Sequence, residues 1–129
     1  MDRGQVKILV IEDDPDLMRL ISRTLTGAGF AVEQANGGED GLRKARLEKF
    51  DLILTDLAMP KVSGVEVIHQ LKNDPDTQDI PCVAVTAFTW DNIAQSASQV
   101  GCDSFVAKPF NSNQLLKEVA KYVPIPDTR

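Results

Sequence analysis

Positive charge, histidine, cysteine and long apolar runs are all scarce in this sequence. Fourteen lysines and arginines stand against nineteen acids, a formal net charge of -5. The clustered basic footprint that binds a phosphodiester backbone is missing, so direct nucleic-acid binding is not expected. His69 is the only histidine, which excludes a multi-histidine metal site and assigns that side chain to a helix surface. Cys82 and Cys102 fall in different elements and form no CxxC pair, so neither zinc nor dithiol chemistry is expected. Reduced thiols fit a cytoplasmic protein. No run reaches membrane-spanning length. Met1-Asp2-Arg3-Gly4-Gln5 passes straight into a short apolar stretch, unlike the extended apolar region and small-residue cleavage site of a signal peptide.

What is present suits one globular unit. Hydrophobic residues make up 43% and charged residues 26% of the chain, a balance that argues against disorder. A length of 129 residues allows a single domain over 1–129, with a core over about 6–123 and short flexible termini.

Strand and helix signals alternate. Lys7-Ile8-Leu9-Val10-Ile11 reads as a buried strand that runs into Glu12-Asp13-Asp14. Asp14 before Pro15 is a helix start, and Leu17, Leu20, Ile21 and Leu25 predict the buried face of that helix. Residues 30–35 form a weaker strand near an edge, and 41–48 a solvated helix with Leu42, Ala45 and Leu47 on its apolar side. Leu52-Ile53-Leu54-Thr55-Asp56 is the central strand, and Ser63-Gly64 opens a helix with Val67, Ile68 and Leu71 inward. Cys82-Val83-Ala84-Val85-Thr86 is a fourth strand. Residues 92–100 predict a helix with little large apolar surface, Ser104-Phe105-Val106-Ala107 a fifth strand, and 112–123 a last helix.

Five alternations imply a parallel five-stranded sheet with right-handed crossovers and helices on both faces. The fold class is therefore α/β, a doubly wound, flavodoxin-like (βα)5 three-layer sandwich of strand order 2-1-3-4-5. In such a sheet ligands gather outside the carboxyl ends of the strands. Those ends deliver Glu12 and Asp13, Asp56, Thr86 and Lys108 to one rim. Three crowded carboxylates repel one another at neutral pH, and a single lysine offsets them only in part. Magnesium, which takes carboxylate, water and phosphate oxygens, completes the balance, and a backbone carbonyl after Asp56 is a further ligand candidate. A cation, a lysine and a hydroxyl around one carboxylate are what a phosphoryl group in transfer requires, and an aspartate can itself be the nucleophile.

These motifs resemble the receiver domain of bacterial two-component response regulators. The resemblance runs from Val6 to about Val123, through Val10-Ile11-Glu12-Asp13-Asp14, Asp56-Leu57-Ala58-Met59-Pro60 with Gly64, Thr86-Ala87, and Lys108-Pro109-Phe110. It implies that Asp56 accepts a phosphoryl group from a histidine of a sensor kinase or a histidine phosphotransfer protein. It also implies magnesium held by Asp13, Asp56 and the Ala58 carbonyl, with Glu12 acting through a coordinated water. Lys108 then pairs with Asp56 before transfer and with phosphate after it, Thr86 moves to the phosphate, Ala87 follows in the same switch segment, and Phe105 matches the aromatic switch position. Glu12 stands where many relatives carry Asp, and its longer side chain meets the metal differently. Phe88 and Ala58 are apolar at positions that influence acyl-phosphate hydrolysis, and neither is expected to accelerate it.

On this reading the chain is a phosphorylated switch with no small-molecule turnover. It signals to a downstream protein through the face built by helix 92–100, the fifth strand and the last helix, and Trp90 reports motion of the adjoining loop. The enzymatic rival is a haloacid-dehalogenase-like, magnesium-dependent phosphohydrolase, whose Asp-x-Asp signature is echoed by Asp14-Pro15-Asp16. A flavin carrier is a weaker rival, because an acidic turn after the first strand makes a poor phosphate cradle.

Overall fold

The first, third and fourth apolar runs lie side by side because each must bury both of its faces. The computed structural model describes residues 5–87 and 101–126. In it, five parallel strands form one sheet: β1 (Lys7–Ile11), β2 (Ala31–Ala35), β3 (Leu52–Asp56), β4 (Cys82–Thr86) and β5 (Ser104–Ala107), in the order β2-β1-β3-β4-β5. Every residue of β3 and β4 is buried, whereas β2, at one edge, is mostly half-buried. The helices are α1 (Pro15–Gly27), α2 (Gly38–Leu47), α3 (Gly64–Lys72) and α4 (Ser112–Val119).

Strand side chains alternate between two cores, as a period of two demands. Ile8, Val10, Leu54, Val85 and Val106 pack under Met18, Ile21 and Leu25 of α1 and Leu115 and Val119 of α4. Leu9, Ile11, Ile53 and Ala84 pack under Leu42 and Ala45 of α2 and Val67, Ile68 and Leu71 of α3. The three-layer, doubly wound architecture expected from the alternation is the one observed. The predicted helix 92–100, and with it Phe88 and Trp90, lies outside the described residues.

Three local expectations need correction. The buried stripe of α1 is Met18, Ile21, Ser22 and Leu25, while Leu20 is 46% exposed. A serine hides in that stripe because its hydroxyl is satisfied: Ser22 Oγ accepts from Gln34 Nε2 at 2.8 Å. Helix α2 begins at Gly38, earlier than expected, and Leu47 at its end is 69% exposed and outside the core. Its seating depends on Gly41, where a Cβ would come within 2.4 Å of Ile11 Cδ1. The last helix stops at Val119, yet Val123 remains buried through a turn in which Tyr122 N–H donates to Val119 O.

Helix α4 starts on a reciprocal cap. Asn111 Oδ1 accepts from the Gln114 amide and Gln114 Oε1 from the Asn111 amide, each at 2.8 Å. Asn111→Ala is expected to cost about 1 kcal/mol in urea unfolding, with the slope of the transition unchanged. The thiols take no part in pairing: both cysteines are free, and burial pushes Cys82 up to about 12.

Candidate functional site

The carboxyl ends of β1, β3, β4 and β5 meet at one rim, and each carries its polar residue there for a local reason. After β1 the chain turns at once into α1. Asp14 caps that helix, its Oδ1 accepting the Asp16 amide at 3.0 Å, with Pro15 at the first turn. The same turn directs the Asp14 amide at Glu12 Oε2, also at 3.0 Å, and holds Glu12 inward at 2% exposure. Asp13 stays exposed.

Asp56 ends β3 and is 6% exposed. Its Oδ1 accepts from the Ala58 amide at 3.2 Å and its Oδ2 from Lys108 Nζ at 3.0 Å. The loop that follows is pinned from below by Leu57 and Met59, both buried, and by the Gly64 amide, which donates to Leu57 O at 3.0 Å. Ser63 then caps α3, its Oγ accepting the Glu66 amide.

The register pairs Asp56 with Val85, so Thr86 stands one residue further along the neighbouring strand, 1% exposed. The Lys108 amide donates to Thr86 O at 2.7 Å, which fastens the end of β5 to the end of β4 and fixes the origin of the lysine side chain. Lys108 precedes Pro109 through a cis peptide bond. Ala87 is exposed just past Thr86, and Phe105 is half-buried against the core under α2 and α3.

Electrostatically the centre is short of positive charge. Ligand oxygens of Glu12, Asp13 and Asp56 all lie within 4.8 Å of one another. Among the described residues Glu12 Oε1 is buried without a hydrogen-bond partner, and its nearest cation is Lys108 Nζ at 4.0 Å. Burial pushes the Glu12 carboxyl up to about 7; the charges of Asp56 and Asp13 add to this, while the Asp14 amide and Lys108 oppose it. A buried orphan oxygen beside two further carboxylates is a donor set suited to a hard divalent cation such as magnesium.

One consequence is measurable in chelator-treated protein. The unfolded Glu12 carboxyl ionises near 4.5 and the folded one near 7, so folding favours the protonated form. The stability this contributes is complete below pH 4.5 and is lost as pH rises through about 7. Urea unfolding of the parent in EDTA is expected to show that decline, and Glu12→Gln to flatten it.

A family model described as "Response regulator receiver domain" matches residues 8–120. The chain belongs to that family. Among its relatives, the polar-differentiation response regulator DivK of Brucella anthropi is 31% identical over 116 residues, covering 90% of this chain and 94% of DivK. The chemotaxis response regulator CheY4 of Vibrio cholerae superposes with a TM-score of 0.87 at 30% identity, over 93% of this chain and 100% of that one. The response regulator TrrA of Thermotoga maritima, solved in complex with magnesium and BeF, gives a TM-score of 0.82 at 28% identity, over 92% and 100% of the two chains.

This receiver domain is a component of two-component signalling, and its acidic residues gather as the strand-end argument expects. The phosphohydrolase alternative is not favoured. Asp14 of Asp14-Pro15-Asp16 is occupied as a helix cap, and Asp16 sits 3.2 Å from Arg19 with its side chain 89% exposed. The structure brings Glu12, Asp13, Asp56 and Lys108 together at one rim, with Thr86 ending the neighbouring strand, and it buries Thr55, which the sequence does not single out. A hydroxyl inside an apolar strand gives no signal until its partner is seen.

Proposed function

We propose that Asp56 is the phosphoacceptor of this receiver, with Asp13, Asp56 and the Ala58 carbonyl as magnesium ligands and Glu12 acting through a water. The observation that carries the reading is the 3.0 Å contact of Lys108 Nζ with Asp56 Oδ2 inside the acidic cluster. A carboxylate oxygen of Asp56 attacks the phosphorus of a phosphohistidine, an acyl phosphate bond forms, and the phosphorus–nitrogen bond breaks. The departing imidazole nitrogen takes up a proton. Bound magnesium would supply the positive charge that offsets the phosphoryl oxygens. Lys108 begins on Asp56 and ends on a phosphate oxygen, so it stabilises charge that develops during transfer. The Thr86 hydroxyl donates to the same phosphoryl group.

The donor is a sensor histidine kinase or a histidine phosphotransfer protein, as membership of the family supports. Phosphate at Asp56 draws Thr86 and Ala87 toward the rim and lets Phe105 turn inward. The altered face, around β5 and α4, is read by a downstream protein. The protein acts as a cytoplasmic switch with no small-molecule turnover and no direct contact with nucleic acid. Among the described residues no helix is long and apolar enough to cross a membrane.

The test is phosphorylation by a small phosphodonor with and without magnesium, followed by reduction with tritiated borohydride, which replaces the acyl phosphate and leaves tritium on the acceptor residue, and peptide mapping. Stoichiometric label at residue 56 that requires magnesium supports the proposal. Label elsewhere, or steady turnover of the donor without a covalent intermediate, overturns it.

A further inference from the structure

Thr55 is 0% exposed, and its hydroxyl Oγ1 donates to the backbone carbonyl of Asp56 at 3.0 Å. The register sets it between Ile11 and Ala84, both of which belong to the apolar core under α2 and α3. A valine of the same shape would satisfy that packing. The hydroxyl is therefore retained at a desolvation cost, and the group it engages is the peptide joining the strand to the loop beyond Asp56.

That peptide is held on every side. The Thr55 hydroxyl fixes the Asp56 carbonyl, and Gly64 packs so closely that a Cβ there would lie 1.9 Å from the same oxygen. The next carbonyl, of Leu57, accepts the Gly64 amide at 3.0 Å. One residue on, the Ala58 amide reaches back to Asp56 Oδ1 at 3.2 Å. The Ala58 amide lies in the 57–58 peptide, which Gly64 holds through Leu57 O, and the 56–57 peptide held by Thr55 joins that plane to Asp56, so the two together set where the Ala58 amide meets the carboxylate.

We infer that Thr55 is a positioning residue for phosphoryl transfer: its hydroxyl locks the peptide after Asp56 so that one carboxylate oxygen stays on the Ala58 amide and the other on Lys108. Without the hydroxyl the carbonyl rotates more freely, and Asp56 spends less time aligned with an incoming phosphorus. Misplacement of a nucleophile by about an ångström costs up to a hundredfold in rate, and freeing one hydrogen bond is expected to cost about tenfold. The inference rests on Asp56 as the acceptor.

The experiment compares the parent with Thr55→Val, Thr55→Ser, Thr55→Ala and Asp56→Asn at saturating magnesium and small phosphodonor. Label uptake and urea unfolding are followed for each. Thr55→Val, which keeps the packing and loses one buried hydrogen bond, is expected to lower the unfolding midpoint modestly, no more than Thr55→Ala does, and to take up label about tenfold more slowly. Thr55→Ser, which restores only the hydroxyl, is expected to return the rate to within about twofold of the parent. Should Thr55→Val not fold, the ratio of Thr55→Ser to Thr55→Ala carries the same comparison. A parental rate in Thr55→Val, or a serine variant as slow as the valine or alanine one, overturns the inference. Label in Asp56→Asn instead overturns the choice of acceptor, so the two failures are separable.

Discussion

Asp56→Asn is expected to take up no phosphoryl group from either a small donor or a phosphorylated histidine protein. The amide is nearly the size of the carboxylate and leaves the surrounding contacts in place: one side-chain atom still faces the Ala58 amide, and Leu57 and Met59 still anchor the loop. What is lost is the nucleophile, since an amide oxygen carries no charge to share with phosphorus. The acidic centre itself relaxes. The charge of Asp56 is one of the influences holding Glu12 high, so the Glu12 carboxyl should fall toward its ordinary range in the variant. Loss of label with an intact fold, and a weaker dependence of stability on pH in EDTA, are the paired results expected. Label in the variant at the parental rate would place the chemistry on another side chain.

Gly64→Ala is the second large effect, and it acts through backbone. A methyl group there would lie 1.9 Å from the Asp56 carbonyl oxygen and 2.7 Å from both the Asp56 carbonyl carbon and Leu57 Cα. None of these is the free end of a side chain, so the start of α3 and the loop after β3 must move apart. Such overpacking costs typically 1–3 kcal/mol, and the fixed neighbours here point to about 3 kcal/mol. Because the yielding segment carries Asp56, urea unfolding and label uptake should both suffer, whereas Asn111→Ala should affect stability alone. Parental stability in Gly64→Ala would mean that α3 slides without cost.

The sheet was legible because two-sided burial forces β1, β3 and β4 to be almost continuously apolar, and charge can return only where such a strand ends. That contrast is visible in the sequence at Ile11-Glu12 and in the run Leu52-Ile53-Leu54 that closes on Asp56. Helix faces were harder to read. Leu20 and Leu47 are apolar yet exposed, and Ser22 is polar yet buried, because its hydroxyl finds Gln34 across the layer. A hydropathy pattern registers side-chain type and not partners, which is also why Thr55 passed unnoticed. The orphan oxygen of Glu12 is a matter of distance rather than residue type, and only the fold reveals it.

Strands β3 and β4 are enclosed along their full length, so their amides exchange with solvent only when the whole molecule opens. Asp56 is thus mounted on a strand that is buried from end to end. Its partner Lys108 follows a four-residue strand that is only partly covered, so the amides of that strand are expected to exchange sooner. The contact between them joins a fixed anvil to a lighter arm, and when the two part, it is the arm that travels.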